Sequence, residues 1–211
     1  MDGASERVIG DHLAKRHGLR DRLVIATKFA LTMDPDDPNN GGTGRKALRR
    51  HVEESLTRLR NDYLDLYWKH NWDRHTRLEE TISTLDDLVR EGKVRYVGLS
   101  GTPAWAVARM ATLAEWRGWT PIAAIQAECN FLERTSEGEL FGAARELGLG
   151  VMPWSPLANG CSAASTRGRT RARRVPAPGC SSAGTWASAL GRCWTRSEHD
   201  DQRGRGGRLS G

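Results

Sequence analysis

Several features that would place a sequence quickly are missing from this one. Its 211 residues contain only four cysteines, none in a Cys-x-x-Cys pair or at metal-ligand spacing, so there is no basis for a cysteine-held metal site. No apolar run approaches the ~20 residues of a membrane span. Met1 to Glu6 lack the basic and apolar parts of a signal peptide, so a cytoplasmic protein is expected. No Gly-x-Gly-x-x-Gly follows any candidate strand, which weakens an open dinucleotide-binding sheet. The run Gly41-Gly42-Thr43-Gly44-Arg45-Lys46 does not fit Gly-x-x-x-x-Gly-Lys-Ser/Thr and reads as a flexible turn before a helix. The chain is also short of the ~250 residues typical of a closed (β/α)8 barrel.

The charge that is present is unevenly placed. The net charge is +6. Beyond residue 160 lie 10 of the 32 basic residues, all of them Arg, and 3 of the 26 acids. That stretch holds three residues from the set Leu, Ile, Val, Phe and Met: Val175, Leu190 and Leu209. It cannot bury enough apolar surface to offset its ordering entropy, so residues 161–211 are expected to be a disordered tail. Arg203-Gly204-Arg205-Gly206-Gly207-Arg208 resembles segments that bind single-stranded nucleic acid. It has no interleaved aromatic, so nucleic acid is not the expected partner.

Residues 1–160 alternate between two periods. Apolar runs at Leu23–Ala26, Leu64–Trp68, Arg95–Leu99, Ile122–Ile125 and Val151–Trp154 read as buried strands. Between them, Leu48, Val52, Leu56 and Leu59 mark a helix, as do Leu78, Ile82, Leu85 and Val89. Ala106, Met110 and Leu113, then Leu140, Ala144 and Leu147, mark two more. Thr76 and Glu79 predict a capping box, and Gly92 a helix end. Strands every 30–40 residues, each followed by one helix, predict βαβ units and a parallel sheet.

In such a fold, functional groups gather at the carboxyl ends of the strands. That rim collects Thr27-Lys28, His70-Asn71-Trp72-Asp73, Ser100-Gly101-Thr102, Gln126 and Trp154-Ser155-Pro156-Leu157. A Lys, a His, a Ser, an amide and a large aromatic suit a carbonyl substrate and an aromatic, phosphate-bearing cofactor. Each has a plainer meaning when taken singly. Lys28 could be solvated, His70 a hydrogen-bonded structural residue, Trp154 core, and Gln126 a satisfied amide. Their placement on successive strand ends favours a shared site. His70, Asp73 and His75 could also be read as metal ligands, although one short loop rarely supplies a whole site.

Six ordered motifs resemble those of aldo-keto reductases. They are Gly3-Ala4-Ser5-Glu6, Ile25-Ala26-Thr27-Lys28, Ser55 to Leu59, Asp62 to His70, Gly92 to Ser100, and Trp154-Ser155-Pro156-Leu157. Residues 3–160 most resemble the bacterial branch related to potassium-channel β subunits. The resemblance implies an α/β fold, an incomplete (β/α)8 TIM barrel holding about the third to the seventh strands. It implies an oxidoreductase that reduces an aldehyde or ketone, a small-molecule carbonyl substrate, with NADPH. The family's catalytic set is Asp, Tyr, Lys and His, of which Lys28 and His70 match the last two. Ser100 and Gln126 match groups that bind the nicotinamide amide, Trp154 the residue stacked on its ring, and Ser155 and Leu157 residues along the pyrophosphate. The spacing of the first motif would set the Tyr directly before Met1. The catalytic Asp and Tyr are thus expected to be absent and the chain inactive alone. Gly101 stands where the family has Asn or Asp, and after Gly160 the motif series stops. A non-catalytic protein that binds through a partial barrel surface or a basic RNA-binding tail is the alternative expectation.

Overall fold

The computed structural model describes residues 3–158 apart from Met33 and Pro35. The expectations for the tail, its Arg-Gly run included, lie outside the described residues. Ten main elements alternate: α1 (Ala4–Ala14), β1 (Ala26–Phe29), α2 (Arg45–Leu59), β2 (Leu64–Lys69), α3 (Leu78–Arg90), β3 (Val94–Ser100), α4 (Ala104–Arg117), β4 (Ile122–Glu128), α5 (Glu139–Glu146) and β5 (Gly150–Trp154). The strands form one parallel sheet in chain order. This is an α/β fold of the partial (β/α)8-barrel type. Among the described residues no helix is long and apolar enough to cross a membrane.

Sequential strand order decides where the helices go. Crossovers of one hand between neighbouring strands place every helix on the same face of the sheet, and each of the five helices packs against the next. Strand side chains alternate between faces. Ile25, Phe29, Tyr67, Val97, Leu99 and Ile125 point to the helices, where they bury with Leu48, Val52, Ile82, Leu85 and Met110. Residues of the other parity take the opposite face. The register links Lys28 with Trp68, Trp68 with Gly98, Ser100 with Gln126, and Glu128 with Trp154. A register shift beside Val97 and Gly98 lets both Ile122 and Ile125 face the helices.

The strands are therefore less continuously apolar and less covered than their sequence suggests. Tyr96 is 63% exposed, and every residue of β5 is exposed. The first strand also starts later than expected. Leu23 and Val24 are exposed, and the strand runs through Thr27 and Lys28 instead. Pairing sets this boundary, since the Ile25 N–H donates to the Asp65 carboxylate and the Ile25 carbonyl accepts from Asp65 and Leu66. The predicted capping box is not formed. Arg77 caps α3 without a side-chain bond, and the Thr76 hydroxyl donates to Asp73 at 2.7 Å. Helix α1, which the apolar pattern did not reveal, has only Gly10 and Leu13 buried.

Gly98 makes the inner face close-packed at its centre. A Cβ there would press into the Trp68 ring, with Cδ2 at 2.9 Å and two further ring carbons nearer still. Trp68 is 2% exposed and has little room to yield. Gly98→Ala is expected to lower stability by ~1–3 kcal/mol, the usual cost of overpacking. An unchanged urea midpoint would show that the ring does not occupy this position.

Candidate active site

Lys28 and His70 stand together. Both line a cavity of about 320 Å³ beside the edge strand β1, with residues of α2 on one side and Gly3, Ala4, Ser5 and Glu6 at the start of α1 forming another wall. Thr27, His51, Ser55 and Arg58 complete much of the rest. The strands hold His70 from behind, because its backbone N–H donates to the Phe29 carbonyl at 3.1 Å. Burial pushes the His70 imidazole below its ordinary value, and the Lys28 charge adds to the shift. A neutral imidazole at neutral pH follows, able to donate one N–H.

The wall of the cavity is an ion-pair network that sequence reading missed. Glu6 accepts the Thr27 hydroxyl at 2.5 Å with one oxygen and Arg58 Nε at 2.5 Å with the other. Arg58 also reaches Glu54 and Ser55. The network pins α1 and α2 to β1 beside Lys28. The motif residues Glu6 and Arg58 were visible in the sequence; that they meet across 52 positions was not.

None of the chain's three tyrosines lines this cavity. Tyr67 points to the helices, is fully buried with an unpartnered hydroxyl, and has its phenol pushed well up by burial. Tyr63 lies under the Arg20 and Arg95 guanidinium groups. Tyr96 lies on the open face, level with Leu66, two register positions before the Trp68–Gly98 pair.

Ser100, Gln126 and Trp154 do not line the cavity; they continue along the same face of the sheet, across β3, β4 and β5. Ser100 is buried and is the register partner of Gln126. The Gln126 amide makes a long contact, 3.4 Å, to Met152 Sδ. Trp154 keeps 43% of its surface exposed. Beyond it the chain turns at Ser155, which has a positive φ of 55° and whose carbonyl accepts from Ala158 and from Asn130 Nδ2. Leu157 is 59% exposed. A hydroxyl beside a primary amide offers donors and acceptors for both ends of a carboxamide. With an exposed indole two strands away, this donor set fits a nicotinamide.

Asp73 has a different place from the metal-ligand reading. Its carboxylate accepts from the Thr43 N–H and hydroxyl, from the His75 and Thr76 N–H groups, and from the Thr76 hydroxyl. It joins the loop before α2 to the loop before α3. Among the described residues no group of three or more His, Cys, Asp or Glu could hold a metal ion.

The Lys28–His70 coupling has a direct test. Lys28→Met removes a positive charge that disfavours imidazolium, so the His70 pKa should rise toward the ordinary ~6.5. Imidazole resonances followed by NMR against pH would show it, and a fall or no change would mean that the two side chains do not interact.

Comparison with known proteins matches residues 1–192 to the model of the Aldo/keto reductase family. The match continues past Gly160, where the motif series ends. The uncharacterized oxidoreductase YrpG of Bacillus subtilis is 40% identical over 161 residues, 75% of this chain and 49% of the relative. An aryl-alcohol dehydrogenase of Pestalotiopsis microspora is 34% identical over 180 residues, 83% of this chain and 47% of the relative. A norsolorinic acid reductase of Aspergillus flavus is 36% identical over 163 residues, 75% and 42% of the two. The chain spans about half the length of the curated relatives it matches.

Proposed function

The chain belongs to the aldo/keto reductase family, and from that premise we propose that it supplies the lysine-bearing and nicotinamide-facing part of an NADPH-dependent reductase of aldehydes or ketones. The observation that carries this reading is the cavity shared by Lys28 and His70, with Ser100, Gln126 and Trp154 following along the same sheet face. Two relatives named for aryl alcohols and norsolorinic acid favour an aromatic carbonyl.

When bound, NADPH supplies the hydride. The neutral His70 imidazole donates its N–H to the substrate oxygen and orients the carbonyl. The Lys28 ammonium stabilises the anion left when a neighbouring donor gives up its proton; a free phenol holds that proton to pH ~10. Ser100 and Gln126 would hold the carboxamide of NADPH, Trp154 its ring, and Ser155 and Leu157 its pyrophosphate. The proton donor itself is not one of the chain's tyrosines, since none lines the cavity.

The test is a chimera in which YrpG supplies the parts of its chain that lie outside the match. It is expected to oxidise NADPH with an aromatic aldehyde, whereas residues 1–211 by themselves are not. A folded chimera that binds NADPH but reduces no aldehyde or ketone would overturn the proposal.

A further inference from the structure

Lys69 is a charged residue in a place built for an apolar one. It follows Trp68 at the end of β2, has helix-facing parity, and is 1% exposed. Among the described residues no carboxylate lies within ion-pair distance of it. Its ammonium donates instead to the Asn71 carbonyl at 2.5 Å and to Thr102 Oγ1 at 3.5 Å, and lies 5.0 Å from the centre of the Trp72 ring. Thr102 in turn donates to the Ser100 carbonyl at 2.9 Å. Burial draws the Lys69 pKa down to about 8, partly offset by the Asp73 charge. Leaving a buried ammonium without a carboxylate is costly unless its donors are satisfied, and here a carbonyl, a hydroxyl and an aromatic face satisfy them.

These partners belong to two loops. Asn71 and Trp72 follow β2 directly after His70, and Thr102 follows β3 two residues after Ser100. The loops also touch at Gly101, where a Cβ would come within 3.2 Å of the His70 carbonyl and 3.3 Å of Asn71 Oδ1. We propose that Lys69 is a positioning residue, whose buried ammonium ties the loop after β2 to the loop after β3 and so sets where His70 stands against Lys28. The role of His70 toward a carbonyl rests on the function proposed above; the tie between the loops does not.

The test uses the full chain and two substitutions. In Lys69→Met, an apolar side chain of similar length replaces the ammonium. The His70 pKa is expected to rise toward ~6.5 as its geometry against Lys28 relaxes. Amide exchange at Asn71–Asp73 and Gly101–Thr102 should quicken ~10-fold or more while α2 keeps its protection. Thr102→Val, which removes the hydroxyl partner and no charge, should give the same local pattern. Unchanged His70 titration and loop exchange in folded Lys69→Met would overturn the proposal. If Lys69→Met does not fold, the same null result in Thr102→Val overturns it. Missing NADPH-dependent reduction in the chimera would sink the proposed function and leave these readouts standing.

Discussion

Lys28→Met in the chimera with YrpG is expected to slow carbonyl reduction by ~10²-fold or more, while NADPH affinity stays nearly unchanged. The magnitude is the usual worth of assisted proton transfer. The split between rate and affinity follows from geometry. Lys28 lines the cavity with His70, and the groups that fit the carboxamide lie on β3 and β4, outside that cavity. A side chain that acts only in the transition state lowers the rate without loosening the ground state. Stopped-flow or steady-state reduction of an aromatic aldehyde, with NADPH binding measured by fluorescence, would separate the two. An unchanged rate would remove Lys28 from the catalytic set.

Asp73→Ala is expected to cost ~2–3 kcal/mol of stability at neutral pH. The carboxylate accepts five hydrogen bonds from Thr43, His75 and Thr76. Each charge-assisted bond is worth ~1.5–3 kcal/mol, reduced here because the group is only partly buried and its freed partners can reach water. Burial alone would raise the Asp73 pKa, but the bonds from Thr76, His75 and Thr43 outweigh it and hold the carboxyl well below the ordinary carboxylate range. A folded-state value below the unfolded ~3.9 means that this stability is complete above the unfolded value and is lost as pH falls below it. The gap between wild type and Asp73→Ala, read from urea midpoints, should therefore be widest near neutrality and close as pH drops below ~4. A gap independent of pH would show that the charge contributes nothing and that only packing was lost.

The failures of sequence reading share a cause. Apolar character located β2, β3 and β4 within a residue or three, because their helix-facing positions carry the core: Tyr67, Val97, Leu99, Ile122 and Ile125. It misplaced β1, where the paired residues Thr27 and Lys28 are polar and the exposed Leu23 and Val24 are not. A strand is defined by its partner's hydrogen bonds, and near a site its inner face is polar. Thr76 and Glu79 had the spacing of a capping box, yet Asp73 captured the Thr76 hydroxyl. Local propensity lost there to a carboxylate that also holds a segment 30 residues away. Lys69 offered a signal that went unused, since a lysine of helix-facing parity in an apolar strand must find internal partners.

What the sequence by itself determined is the kind of fold and the family. A parallel α/β sheet follows from periodicity and spacing, and family membership from six motifs in order. It also placed Lys28, His70, Ser100, Gln126 and Trp154 at strand ends, where equal parity on parallel strands puts them on one face. Only the tertiary structure decided how that set divides. Lys28 and His70 share a cavity with the start of α1, and Ser100, Gln126 and Trp154 form a separate row across β3 to β5. It alone joined Glu6 to Arg58 and Thr27, and Lys69 to Asn71 and Thr102. The physical reason is that alternation within a strand is a local property of the backbone. Which side chains meet across 30 or 50 residues depends on the register of the sheet and the packing of one helix on the next.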